Sequence, residues 1–454
     1  MIPLPQQHKR LLPRGWWLAL GLAGIPAPTV GLAWRQYPKT WEEAGVYYAQ
    51  TTPDNPITRL QAKIDGGKLT LAYQKGRGYL PAVLKALHIP VSSQMLVFSK
   101  TSVHGALISP QAPRALYFND STYIGWVPRA PILEVVTVDP QLGAVYYVLL
   151  QQPKAKPRFF RNVVSCLECH AGLIAKTVPG HLLRSVYVDA GGTPEKEAPS
   201  YQTTDASPLS ERWGGWYVTG RHGSQRHMGN ACATRQGDQF VVDREKGANL
   251  TDLHGLVDTR PYLSRYSDIV ALMVLGHQTH LQNLIAKANY QTRMALSQDR
   301  AQDKASGLSA DPRSNTAPVD IQTACEPLLK AMLFVGEARL TAPITGLSGF
   351  AEQFSAQGPQ DSKHRSLRQL DLKRRLMRYP CSYTIYSEAF DALPGVAKEY
   401  IYRRLWEVLS GQDRRLEFAH LSRADRKAIR EILLETKPAF AAWKARHSAG
   451  QQAQ

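Results

Sequence analysis

Between residues 94 and 150 the apolar residues come in short runs: Met95–Phe98, Ala115–Phe118, Tyr123–Val127, Ile132–Val138 and Ala144–Leu150. Each run is rich in β-branched or aromatic side chains and closes on Pro, Gly, Asn or Asp, which predicts strands. Asn119-Asp120 and Asp139-Pro140-Gln141-Leu142-Gly143 read as turns between them, so the strands form a small antiparallel sheet. Residues 186–188 and 239–242 are candidates for further strands. From Ser267 the period changes: Val270, Met273, His277, Leu281, Leu284 and Ala288 keep helical spacing, predicting one long helix to Leu296. Residues 297–320 lose periodicity and turn to Gln, Asp, Ser, Ala, Pro and Asn, the composition of a linker. Beyond it, 322–340, 364–378, 396–410 and 421–446 read as amphipathic helices. The expected fold class is α+β, a small antiparallel sheet region followed by a mainly α-helical C-terminal region. The divisions are a sheet-containing body over 35–296, the linker, and a helical region over 321–447. There is no fixed-period repeat, which argues against a solenoid or propeller.

The first 34 residues read differently. Lys9, Arg10 and Arg14 precede an apolar stretch from Trp16 to Ala33. A basic start followed by an apolar core is the layout of a secretory signal. The stretch also approaches the length of a membrane span, so a cleaved signal peptide and an uncleaved N-terminal anchor both stand. Either one implies export to the periplasm or another extracytoplasmic space. The 454 residues suffice for a full core, and 43% hydrophobic against 20% charged residues excludes wholesale disorder. Five cysteines are too few for a disulfide scaffold in a chain this long.

The formal charge is +18, and removing the three basic residues of the leader leaves +15. A basic body attracts an acidic protein or an anionic surface and raises encounter rates. Export and the lack of a basic, aromatic-interleaved groove speak against nucleic acid. Much of the excess lies in 361–454, with 19 Lys or Arg against 11 Asp or Glu. That region reads as a solvated helix surface or as a docking face for an acidic redox protein.

The sharpest chemical signal is Cys166-Leu167-Glu168-Cys169-His170, a Cys-x-x-Cys-His motif that attaches c-type haem. Residues three apart share one helical face, so both sulfurs reach one porphyrin edge and the next imidazole turns toward the iron. Half of a zinc site is a weaker reading, because Cys232, Cys325 and Cys381 make no second pair. A thioredoxin-like dithiol would need a long helix after the motif, and Pro179-Gly180 follows instead. Cys381 reads as a buried thiol or as half of a disulfide with Cys325 or Cys232.

On this motif the chain resembles the c-type cytochromes, specifically large exported bacterial proteins with a cytochrome c domain and one haem. Ser99-Lys100-Thr101-Ser102, Ala115-Leu116-Tyr117-Phe118-Asn119-Asp120 and Trp213-Gly214-Gly215-Trp216-Tyr217 look like phrases of such a family. The resemblance implies one covalent haem c in a segment of about 160–232, with Cys166 and Cys169 as thioether points and His170 as proximal iron ligand. It implies electron transfer and supplies no substrate.

The sixth iron position stays open at this stage. Met228, 58 residues beyond His170, is one candidate. A thioether there raises the reduction potential and suits an electron carrier. His227 or His222 would give bis-histidine ligation, and an open position would suit a haem oxidoreductase, a peroxidase-like enzyme or a gas sensor. Trp213, Trp216 and Tyr217 are candidates to wall the macrocycle, with Gly214 and Gly215 allowing close backbone approach. Arg212, Arg221 and Arg226 are candidates for the haem propionates, because guanidinium pairs bidentately with carboxylates. His277 and His280, three apart, are read mainly as hydrogen-bonded core histidines, with a shared metal or the haem iron as the alternatives.

Overall fold

A computed structural model describes residues 46–171, 178–306 and 317–452, all within the compact unit Thr40–Gln454. The leader and the segment 172–177 just after the motif lie outside the described residues. The first helix among the described residues, α1 (Pro56–Asp65), starts on Asn55, whose side-chain oxygen accepts the N–H groups of Ile57 and Thr58. The Asn55 side-chain amide in turn donates to the Tyr147 hydroxyl at 3.1 Å, which ties the cap to the sheet. A second short helix, α2 (Leu80–Ala86), follows.

Next comes a six-stranded antiparallel meander in sequence order: β1 (Met95–Val97), β2 (Arg114–Phe118), β3 (Thr122–Trp126), β4 (Ile132–Asp139), β5 (Gly143–Leu150) and β6 (Phe159–Arg161). The five expected strands are all present. Asn119 accepts the N–H groups of Ser121 and Thr122 in the β2–β3 turn, and Asp139 accepts those of Gln141 and Leu142 in the β4–β5 turn. These are the side-chain-to-backbone bonds for which Asn and Asp are chosen.

The register sorts the strand residues onto two faces. One face carries Ala115, Tyr117, Ile124, Trp126, Leu133, Val135, Val145, Tyr147 and Leu149, all buried. The other pairs Leu116 with Gly125, Gly125 with Glu134, Glu134 with Val148, and Val148 with Phe160. On this second face Arg114, Leu116, Glu134, Val136 and Val148 remain half-buried.

After β6 the motif forms α3 (Ser165–His170). Four short strands follow, β7 (Arg184–Val186) paired with β8 (Ser200–Gln202) and β9 (Ala233–Gln236) paired with β10 (Gln239–Val242). The expected strand at 186–188 therefore sits two residues earlier.

The long helix α4 (Ile269–Ser306) is the axis of the molecule. Asp268 starts it by accepting the N–H groups of Val270 and Ala271, and its other oxygen accepts those of Leu347 and Ser348. A one-sided apolar stripe was expected, yet every residue from Ile269 to Ala286 except His280 is buried. The polar ones are hydrogen-bonded inside: Gln278 and Gln282 bond the Tyr123 hydroxyl, and Asn283 bonds the backbone of His181. A helix covered on all sides needs such internal partners.

Three element predictions are corrected. The stretch 297–320 is not uniformly a linker, since α4 runs to Ser306 and α5 (Ala317–Met332) begins before 320. Residues 364–378 are not helical. Asp371 accepts the N–H groups of Lys373 and Arg374, Leu370 bridges Met377, and Arg365, Arg368 and Arg375 reach out to Glu431, Asp120 and Asp425. Local carboxylate turns outcompete helical spacing there. Finally, 421–446 divides at Pro438 into α8 (Arg423–Thr436) and α9 (Pro438–Gln452). Between these corrections lie α6 (Phe350–Ser355) and α7 (Gly395–Ser410). One apolar cluster runs from Met95 on β1 through α4 and α5 to Trp443 on α9. Among the described residues no helix is long and apolar enough to cross a membrane.

Candidate haem-attachment site

Asn162 sets up the motif helix. Its side-chain oxygen accepts the N–H groups of Val164 and Cys166, and its amide donates to the Ser165 hydroxyl. Leu167 is buried, which turns the neighbouring side chains outward. Cys166 is half-buried, Cys169 is exposed, and both are free thiols. Burial pushes the Cys166 thiol up to about 11, with Glu134 and Cys169 adding to the effect. A redox dithiol needs the opposite, a thiolate stabilised near neutral pH.

His170 is fixed from two sides. Its Nδ1 lies 3.0 Å from the Gly180 carbonyl oxygen, and its own carbonyl accepts the Gly180 N–H at 2.9 Å. A carbonyl only accepts, so Nδ1 carries the proton and Nε2 presents its lone pair. Burial holds the imidazole below its ordinary pKa, which keeps that lone pair available at neutral pH. The Tyr146 hydroxyl also donates to the Gly180 carbonyl at 2.6 Å, and the Tyr146 ring lies 5.0 Å from the His170 ring. A backbone carbonyl that orients an imidazole through its second nitrogen is the usual outer support of a metal-ligating histidine.

The loop supplying that carbonyl is anchored to α4. Asn283 accepts the His181 N–H at 2.7 Å and donates to the His181 carbonyl at 2.9 Å. A side chain at Gly180 would meet the Asn283 oxygen at 2.6 Å, so glycine is required by close approach. His181 is buried against Tyr123, its Nε2 has no partner, and burial followed by the nearby His170 pushes it down to about 3.

The other expected site residues occupy a second neighbourhood. Met228 is fully buried, and its sulfur accepts the Ser185 hydroxyl at 3.6 Å. Both His222 nitrogens are used, Nδ1 by the Gln225 carbonyl and Nε2 by the Asn249 N–H. His227 accepts the Gly229 N–H through Nδ1, packs on His222 and Trp213, and leaves Nε2 unpartnered. Arg212 is buried and donates to the Ser207 and Asp205 carbonyls. Trp216 donates to the Arg184 carbonyl, and Arg226 pairs with Glu245. Gly214 and Gly215 pass close to Val186 and Ser99 rather than to His170. Among the described residues no hydrogen bond or ring contact joins this cluster to His170; His222, Arg212 and Trp216 are instead committed to neighbouring backbone.

His277 is the core histidine that was expected. Its Nδ1 bonds Asp205 at 2.9 Å, its Nε2 bonds the Ser382 hydroxyl at 2.7 Å, and its ring stacks on Phe334. Burial raises the Asp205 carboxyl, but His277 and His280 outweigh it and hold Asp205 below the ordinary range. Ser382 and His277 are sealed from solvent, so this Ser–His–Asp chain acts as a latch between α4 and its neighbours. Cys381 is a buried free thiol, and Cys232 and Cys325 are free as well.

Sequence reasoning missed Tyr146, Gly180, His181 and Asn283. The one local signal is Pro179-Gly180, which in the sequence speaks only against a long helix after the motif. Among the described residues no group of three or more His, Cys, Asp or Glu is arranged to hold a metal ion. A covalent haem asks for less, one imidazole and two thiols, and the donor set at α3 has that chemistry. No protein-family model, curated protein or solved structure matches this chain.

Proposed function

We propose that the chain is an exported mono-haem c-type cytochrome that carries electrons through one covalently bound haem c. Cys166 and Cys169 would hold the group as thioethers, and His170 would present Nε2 to its iron. The observation that carries this reading is the Nδ1–H of His170 bound to the Gly180 carbonyl. It fixes the tautomer a metal-ligating histidine needs. The haem, when bound, supplies one-electron chemistry. The chain's own part is to orient the imidazole through Gly180, Tyr146 and Asn283 and to bury it against the sheet. Attachment outside the cytosol fits the basic and apolar leader. The basic body suits an acidic redox partner.

A second reading, a haem oxidoreductase with an open sixth position, gains from the partners found for Met228 and His222. With the thioether bonded to Ser185 and both His222 nitrogens occupied, neither is poised to reach an iron elsewhere. The mature protein purified from an exporting host should be coloured and keep its haem through acidified acetone. Cys169→Ser should lose stable attachment. A colourless native protein, or full haem content in Cys169→Ser, would overturn the proposal. Fast carbon monoxide binding to the ferrous protein would select the open-site reading, and its absence would select the pure carrier.

A further inference from the structure

The register of the sheet places two charges beside the motif that no sequence pattern announced. Tyr146, the residue under the His170 ring, pairs across strands with Val136, and Glu134 pairs with Val148 on the same face. Glu134 is thus the diagonal neighbour of Tyr146, a separation that long side chains bridge. Val148 pairs on its other side with Phe160 in β6, the strand that leads directly into α3. Next to Glu134 lies Gly125, and the open space above that glycine is filled by the Glu134 carboxylate.

Arg114 comes in from β2 and bonds that carboxylate at 2.8 Å, both side chains about one-fifth exposed. The Ser102 hydroxyl donates to the other carboxylate oxygen. The Arg114 Nε is buried and has no partner. Glu134 acts electrostatically on both Cys166 and His170, and Arg114 acts on His170. The alternative cation, Arg212, is committed to the Ser207 and Asp205 carbonyls.

We infer that the Arg114–Glu134 pair forms the charged wall of the haem pocket and sets the reduction potential of the iron bound by His170. This rests on the haem reading above and adds the residues that tune it. Each charge acts through space on the iron's own charge in a partly desolvated site, where such interactions are least screened. The Arg114 cation favours the ferrous state, the Glu134 anion favours the ferric state, and Ser102 holds the anion in place. Both are positioning and tuning residues; neither ligates the metal.

The test is a spectroelectrochemical titration of the haem-loaded full chain in native, Arg114→Leu, Arg114→Lys and Glu134→Gln forms, with haem content measured alongside. Arg114→Leu should shift the equilibrium about tenfold toward the ferric state, ~59 mV for one electron. Arg114→Lys should stay within about threefold of native, because it keeps the charge. Glu134→Gln should move the potential upward. A purely structural pair would not give shifts whose sign follows the charge removed. Haem-loaded variants with unchanged potentials, or shifts of one sign for Arg114→Leu and Glu134→Gln, would overturn this inference and leave the haem reading standing. Should Arg114→Leu fail to fold, Glu134→Gln alone decides by the sign of its shift. A native protein without haem would overturn the reading beneath it.

Discussion

At the scale of single residues the decisive position is Gly180. Its carbonyl receives both the His170 ring and the Tyr146 hydroxyl, while its α-carbon leaves no room beside Asn283. A methyl group there must push the Asn283 amide away from the His181 backbone or rotate the carbonyl away from His170. Gly180→Ala should therefore cost ~1–3 kcal/mol, the range for overpacking a fitted site. Were haem held as proposed, the same change would loosen the hold of His170 on it, seen as a shift of the Soret band. Because the cost arises from one contact, it should shrink in an Asn283→Ala background, as coupled neighbours do. Equal penalties in both backgrounds, measured by denaturant unfolding, would show that the contact with Asn283 is not the cause.

Elements are joined by buried charge as much as by apolar contact, and α4 is the case in point. Its His277 reaches Asp205 on one side and Ser382 on the other, and Glu337, after α5, faces the same network. Burial raises the Glu337 carboxyl from 4.5 to about 7, Asp205 adds to the rise, and the Leu376 N–H, His277 and Arg212 oppose it. Between those two values the folded chain holds a proton that the unfolded chain has released. Stability from this group therefore falls as pH rises from about 4.5 and is fully lost above about 7, a change on the order of 3 kcal/mol. Glu337→Gln keeps an oxygen for Leu376 and cannot ionise. Its stability relative to native should climb from pH 5 to about pH 7 and level off above it, read from urea midpoints. The buried histidines His181 and His227, held neutral near 3, lose stability below about 6.5 in both proteins and cancel in the difference. A native-minus-variant difference that is flat with pH would sink the assignment.

Across the whole molecule, legibility in the sequence followed locality. The five strands of residues 95–150 were readable because strand, turn and Asn or Asp lie within a few residues of one another. What was not readable depends on distant partners: Asn283 meets His181 across 102 residues, and Arg368 leaves its expected helix for Asp120 across 248. Met228 follows from spacing along the chain, whereas Glu134 comes diagonal to Tyr146 through cross-strand register and Arg114 joins it by an ion pair.

The same long reach bears on how the molecule comes apart. Residues 321–447 looked separable, yet the apolar cluster of α4 is closed by Leu328, Leu329 and Met332 of α5 and extends through Ile401 and Leu405 of α7 to Trp443. Removing everything after Ser306 would expose one long side of α4 together with the Phe118 and Tyr123 end of the sheet. At ~25 cal/mol per Å², newly exposing about 400 Å² of apolar surface offsets roughly 10 kcal/mol, comparable to the whole net stability usual for a domain. A chain of residues 35–306 should thus show no cooperative thermal transition and should bind a hydrophobic dye, even though it keeps the whole motif and the Gly180 loop. A sharp, reversible melt of that fragment would mean that the sheet body stands alone and that the helical region is an appendage. A broad, non-cooperative one would place the proposed attachment site inside a core completed only by helices that begin at Ala317, far downstream of it.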